Sequence, residues 1–203
     1  INNGLDTNEF SPVNEVTRNE YRLITTASAD VPLKGLDFTL KALKKLKKDF
    51  PNIHLIVIGL IKKGGHTEKL IRKLGLENDV TFKSNLTKNE IKDCYSKSSI
   101  AIVSSLYEGF GYPVIEAMSC EIPLIATNAS SIPELTSEFA KLVDPKNEEM
   151  IYQSVKDILS EYDKYKKIAI KGRQHVIKNF NWIKITDEYE NAIFETIKNY
   201  EKC

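Results

Sequence analysis

Apolar positions along this chain follow two alternating rhythms. Short β-branched or apolar runs at 22–27, 53–58, 80–83, 100–104, 123–127 and 140–143 read as strands. The run 53–58 is almost wholly apolar and closes on Gly59, the pattern of a strand covered on both faces. Between the strands the spacing changes to three and four. Leu36, Leu40, Leu43, Leu46 and Phe50 mark one face of a helix over 35–50, with lysines on the other, and Pro51-Asn52 stops it. Further helices are predicted over 67–74, 88–97, 113–120 and 132–137. From Asn147 onward the pattern is helical, with a break expected around 179–181 and a last helix over 182–200.

Strands that alternate with helices predict an α/β, doubly wound Rossmann-like domain, its mainly parallel sheet covered on both faces. Ligands of such sheets sit beyond the carboxyl ends of the strands. The loops of interest are therefore 27–34, 59–66, 84–87, 104–112 and 127–131.

Composition narrows the function classes. With 29 Lys+Arg against 28 Asp+Glu over 203 residues, no global field favours nucleic acid. The longest apolar run is far short of the ~20 residues that a membrane-spanning helix needs. Cys94, Cys120 and Cys203 are too few and too scattered for a disulfide framework or a zinc site, and fit a reducing, cytoplasmic setting. His54, His66 and His175 form no metal-ligand spacing, so no metal is expected. The lysine run 41–48 fits either a solvated helix face or peripheral docking on anionic lipid.

The richest loop is Ser104-Ser105-Leu106-Tyr107-Glu108-Gly109-Phe110-Gly111-Tyr112-Pro113-Val114-Ile115-Glu116-Ala117-Met118. It passes from a strand through a glycine turn into a helix whose first position suits Pro113. Gly109 and Gly111 allow close backbone approach, and a helix start with free N–H groups suits an anion such as a diphosphate. Glu108 fits a contact to sugar hydroxyls or a solvated loop charge. Glu116 fits a ribose diol or a glutamate favoured by the helix dipole. Lys34, in Pro32-Leu33-Lys34-Gly35-Leu36, fits a phosphate partner or a solvated lysine beside a helix start. No GxGxxG follows the first strand, which disfavours a nicotinamide enzyme.

Read in order, these segments resemble the C-terminal, donor-binding domain of family-four (group 1) retaining glycosyltransferases. The matching stretches are Asn3-Gly4-Leu5-Asp6-Thr7-Asn8-Glu9-Phe10, Ala29 to Asp37, Ile56-Val57-Ile58-Gly59, Glu108 to Met118, Ile122 to Thr127, Pro133-Glu134 and Phe180-Asn181-Trp182. The resemblance implies the C-terminal half of a two-domain GT-B enzyme. It takes a nucleotide-diphospho-sugar, UDP- or GDP-linked, and needs no cofactor. On that reading 1–20 is a remnant of the interdomain linker and 21–179 the nucleotide-sugar-binding domain. The segment 180–203 is then a helix that crosses back to an N-terminal acceptor domain outside this chain, without which transfer is not expected.

The resemblance also implies roles. Lys34 stabilises the departing diphosphate, and the backbone of Gly109, Phe110 and Gly111 holds phosphate and sugar oxygens. Glu108 contacts the donor sugar near its reacting face, Glu116 the ribose, and Leu86 the base through its backbone. Ser28, Gly59 and Tyr112 complete the implied donor-binding set. Two departures stand out: Ser28 occupies the place of an arginine common in relatives, leaving Lys62 or Lys63 as candidate replacements, and Ala129-Ser130-Ser131 replaces frequent glycines. The rival readings are a sugar-nucleotide epimerase of the same architecture and a non-catalytic nucleotide-binding module.

Overall fold

A computed structural model describes residues 1–13, 16–28 and 30–200. Ala29 of the resemblance and Cys203 lie outside the described residues. The strands are β1 (Asn19–Thr26), β2 (His54–Ile58), β3 (Val80–Lys83), β4 (Ser98–Val103), β5 (Leu124–Thr127) and β6 (Lys141–Val143). The helices are α1 (Leu36–Asp49), α2 (His66–Leu74), α3 (Lys88–Ser96), α4 (Tyr112–Ser119), α5 (Ile132–Thr136), α6 (Glu148–Ser160), α7 (Tyr162–Phe180) and α8 (Trp182–Tyr200). All six strands are parallel, in the order β3-β2-β1-β4-β5-β6.

Alternation along each strand splits the core in two. Leu23, Leu55, Val57, Ile100, Ile102 and Ile125 face α1, α2 and α6, where Leu40, Leu43, Ile71, Ile151 and Val155 meet them. Ile24, Ile56, Ala101, Val103 and Ala126 face α3, α4, α5 and α7, packing with Tyr95, Ile115, Met118, Leu135 and Val176. The chain runs outward from β1 to β3 and then returns to β4, so the strand order reverses between β1 and β4. The crevice at that switch point is where a doubly wound sheet takes its ligand.

Two differences from the periodic reading have local causes. β4 begins two residues early because Ser98 and Ser99 are accommodated inside: Ser98 Oγ donates to Cys94 O at 2.8 Å and Ser99 Oγ to Glu20 O at 2.6 Å. The long helical stretch is also broken at Glu161 (φ −121°, ψ 38°), where no Gly or Pro marks the turn from α6 into α7. The break expected near 180 is present: α7 ends at Phe180, Asn181 is extended, and α8 begins at Trp182.

The segment before β1 is irregular but anchored. Leu5 and Phe10 are buried, and Leu5 N–H donates to Phe180 O at 2.7 Å. Arg18 reaches under the sheet. Its guanidinium donates to four carbonyls, those of Tyr95 (3.0 Å), Ser98 (2.8 Å), Cys120 (2.8 Å) and Glu121 (3.1 Å), tying the ends of α3 and α4 together. α8 leaves the domain after Ile185, with Ile193, Phe194 and Ile197 exposed.

Candidate functional site

The loops after β1 and β4 meet at the switch point and are stitched to each other. A short 3₁₀ turn, Pro32–Lys34, ends at Gly35 in the left-handed region (φ 62°). A Cβ on Gly35 would lie 1.9 Å from Ser104 O, so glycine is required both by the turn and by the neighbouring loop. Ser104 Oγ donates to Gly35 O at 3.0 Å and accepts from Thr39 Oγ1 at 2.9 Å, while Leu106 N–H donates to Leu33 O at 2.7 Å.

On this frame Lys34 Nζ stands 2.7 Å from Glu108 Oε1, which also accepts from Ser105 Oγ at 2.7 Å. Glu108 is buried, and Lys34 keeps 30% of its side chain exposed. The glycine turn follows. A side chain on Gly109 would meet nothing within 4 Å, so its backbone is open to an incoming group. Gly111 caps α4 from the left-handed region (φ 106°), and no side chain satisfies the helix start. Tyr112 is the first helical residue and Pro113 the second, one position later than the sequence pattern placed it. Pro113 has no N–H and Val114 N–H donates to Gly111 O at 3.0 Å, which leaves the N–H of Tyr112 and the positive end of α4 facing the glycine turn, an arrangement suited to an anion.

Three serine and threonine residues that sequence reasoning did not assign hold the turn in shape. Ser130 Oγ donates to Glu108 O at 2.7 Å, Ser131 Oγ to Phe110 O at 2.7 Å, and Thr127 Oγ1 to Ser105 O. Ser130 and Ser131 therefore bond the loop's carbonyls. Phe110 packs its ring edge-on to Tyr112 (5.3 Å) and to Phe180 (6.1 Å), so the ring is taken up in packing.

Glu116 belongs to a separate hydrogen-bonded group. Its Oε2 accepts from Tyr95 OH at 3.2 Å, and Tyr95 OH lies 3.2 Å from Thr26 Oγ1 at the carboxyl end of β1. Burial pushes the Glu116 carboxyl up to about 6, against a smaller opposing effect of the Tyr95 hydroxyl. The buried Tyr95 phenol is raised well above its ordinary value, chiefly by loss of solvent and next by the Glu116 charge.

The remaining expected residues lie around these two groups. Ser28 is exposed just beyond β1. Gly59 follows β2 and donates to Lys83 O at 2.8 Å. Leu86 is half-buried against the core, immediately before Thr87 and Glu90, which cap α3 reciprocally. Lys62 and Lys63 sit on the loop that leads into α2, and that helix is fastened to the β1–α1 loop: Thr67 N–H donates to Asp30 Oδ1 at 2.8 Å. Nothing brings either lysine into the Lys34–Glu108 hydrogen-bond group. Tyr95 and Thr26 were invisible to motif reading, since each looks like an ordinary core or strand residue, and Ser105 stood in the loop without a role of its own.

Comparison with known proteins decides the family. The model of "Glycosyl transferases group 1" matches residues 8–175. The chain belongs to the group 1 glycosyltransferases. It is 32% identical to the MMP alpha-(1->4)-mannosyltransferase of Mycolicibacterium hassiacum, over 98% of this chain and 47% of that protein. The chain thus spans about half the length of that relative. The C-terminal domain of a group 1 glycosyltransferase from Francisella tularensis (LpcC) superposes with a TM-score of 0.76 at 26% identity, covering 88% of this chain and all of that one. Anabaena HepE, solved with UDP and glucose, superposes with a TM-score of 0.83 at 20% identity, over 95% of this chain and 55% of that one. The fold is accordingly that of the C-terminal half of a GT-B glycosyltransferase. Among the described residues no helix is long and apolar enough to cross a membrane.

Proposed function

We propose that this group 1 domain binds a nucleoside-diphosphate sugar and supplies the electrostatic half of a retaining glycosyl transfer, the acceptor being held by a domain outside this chain. The observation that carries the proposal is the Lys34–Glu108 pair, 2.7 Å apart and set against the uncapped start of α4. When the bond to the sugar breaks, negative charge grows on the leaving diphosphate. A lysine and a helix start already in place stabilise that charge without reorganising. Glu108, fixed through Oε1 by Lys34 and Ser105, presents its second oxygen to sugar hydroxyls. Glu116 takes the ribose, and the backbone around Leu86 the base.

The relatives agree in kind with this reading. One is named a mannosyltransferase, and another of like fold was solved with UDP and glucose. We place the acceptor domain against the apolar side of α8, which the domain's own core leaves exposed at Tyr189, Ile193 and Ile197. Assembly of a glycolipid or polysaccharide, at the cytoplasmic face of a membrane, is the setting we assign to it.

Calorimetric titration with UDP, GDP and their sugar conjugates tests the donor reading. One nucleotide series should bind, and Lys34→Ala should weaken the diphosphate about tenfold or more, since a hydrogen bond to a charged group contributes ~1.5–3 kcal/mol. The unphosphorylated nucleoside should be unaffected by that substitution. A folded chain that binds no nucleotide, or a Lys34→Ala variant that binds the diphosphate as before, refutes the proposal.

A further inference from the structure

Glu116 has one hydrogen-bonding side-chain partner among the described residues, and it is buried: Tyr95, on α3, is 2% exposed and sits under the carboxylate. A phenol has a single proton. With that proton given to Glu116 Oε2 at 3.2 Å, the contact to Thr26 Oγ1, also 3.2 Å, must run from the threonine hydroxyl to the tyrosine oxygen. Thr26, Tyr95 and Glu116 therefore form a directed chain from the end of β1, through α3, to α4. The three members are side chains of different elements, so the two hydrogen bonds also tie α3 and α4 to the strand.

A ribose offers two hydroxyl donors side by side, and an ionised carboxylate accepts both more strongly than a neutral acid or amide does. We infer that Tyr95 is a positioning residue of the nucleotide site: its hydroxyl, oriented by Thr26, holds Glu116 ionised and aimed at the 2′- and 3′-hydroxyls of a bound nucleoside diphosphate. This inference rests on the donor reading proposed above and assigns a residue to it that touches no substrate. The groups facing Glu116 make the effect readable. Tyr95 titrates far above neutrality, and Cys120, one turn along α4, is pushed up to about 12. Arg18, Arg173 and Lys92 bear on Cys120 without a resolved effect on Glu116. Between pH 5 and pH 9 Glu116 is thus the group that changes charge in this cluster.

The test compares a nucleoside diphosphate with its 2′,3′-dideoxy counterpart by calorimetry from pH 5 to pH 8.5. The proteins are the unaltered chain, Tyr95→Phe, Thr26→Val and Glu116→Gln. The unaltered chain should prefer the ribose form about tenfold at pH 8, and lose that preference as Glu116 takes up its proton. Glu116→Gln should show little preference at any pH. Tyr95→Phe should lower the preference severalfold at pH 7 and move its midpoint to higher pH. Thr26→Val, which leaves the buried ring in place, should move it the same way by less, and serves if Tyr95→Phe does not fold.

Should Glu116→Gln keep the preference, Glu116 does not hold the ribose and the donor reading is wrong at this residue. Should Glu116→Gln lose it while Tyr95→Phe and Thr26→Val leave both size and midpoint unchanged, the inference about Tyr95 is overturned and the donor reading stands. A merely structural role for Tyr95 would weaken both nucleotides equally and leave the midpoint where it was.

Discussion

Glu116 costs the fold stability in return for its place in the site. Its carboxyl goes from an ordinary 4.5 to about 6 on burial, so the folded chain holds the proton more tightly than the unfolded chain. The contribution to stability is full below about pH 4.5 and is lost as pH rises through 6. Glu116→Gln should therefore be more stable than the unaltered chain at pH 8, by on the order of 2 kcal/mol, and no more stable at pH 4. Urea unfolding at the two pH values measures this, and an equal effect at both would show that burial of charge is not the cause. At this scale the sequence was partly legible. Lys34 and Glu108 stood out because each lies beside a glycine in a strand–helix loop, and Glu116 because it follows the same glycine turn into α4, though each also had a bland reading. Tyr95 did not, because an aromatic on the apolar face of a helix looks like core until its hydroxyl is seen to end on a carboxylate 21 positions away.

Among elements, the decisive joints are those between loops. Gly35→Ala would force a Cβ to within 1.9 Å of Ser104 O and require a left-handed alanine. It should destabilise the domain by more than ~2 kcal/mol and weaken nucleotide binding together, because the same loop carries Lys34. Thermal unfolding and calorimetry read the two effects separately. Arg18→Met would strip four buried or half-buried carbonyls of their donor, and should lower stability by ~3 kcal/mol without moving the Lys34–Glu108 pair. The elements themselves were largely predictable, since period 2 and period 3.6 differ sharply in a sheet covered on both sides. What escaped was the early start of β4, whose serines look polar until their hydroxyls are seen bonded to carbonyls. The turn at Glu161 also escaped, since no breaker residue marks it.

For the whole molecule, α8 contributes little to the domain that carries it. Its apolar residues beyond Ile185 are exposed, Ile193 by 57% and Ile197 by 50%. Replacing both with glutamate should leave the melting temperature within about 2 °C, whereas Phe180→Ala, in the core, should cost ~3–5 kcal/mol. Differential scanning calorimetry distinguishes the two, and a large loss from the glutamate pair would mean that α8 folds back on its own domain. The parallel sheet was foreseeable from alternation alone; its strand order and the course of the chain's opening segment were not. Leu5 is hydrogen-bonded to Phe180, and Gly4 lies so flat on the indole of Trp182 that a Cβ would stand 2.5 Å from the ring. The way in and the way out are therefore adjacent threads. A change at Gly4 is therefore felt at Trp182 and at the end of α7 before it reaches the six strands, so the two ends of the domain stand or fall as one joint.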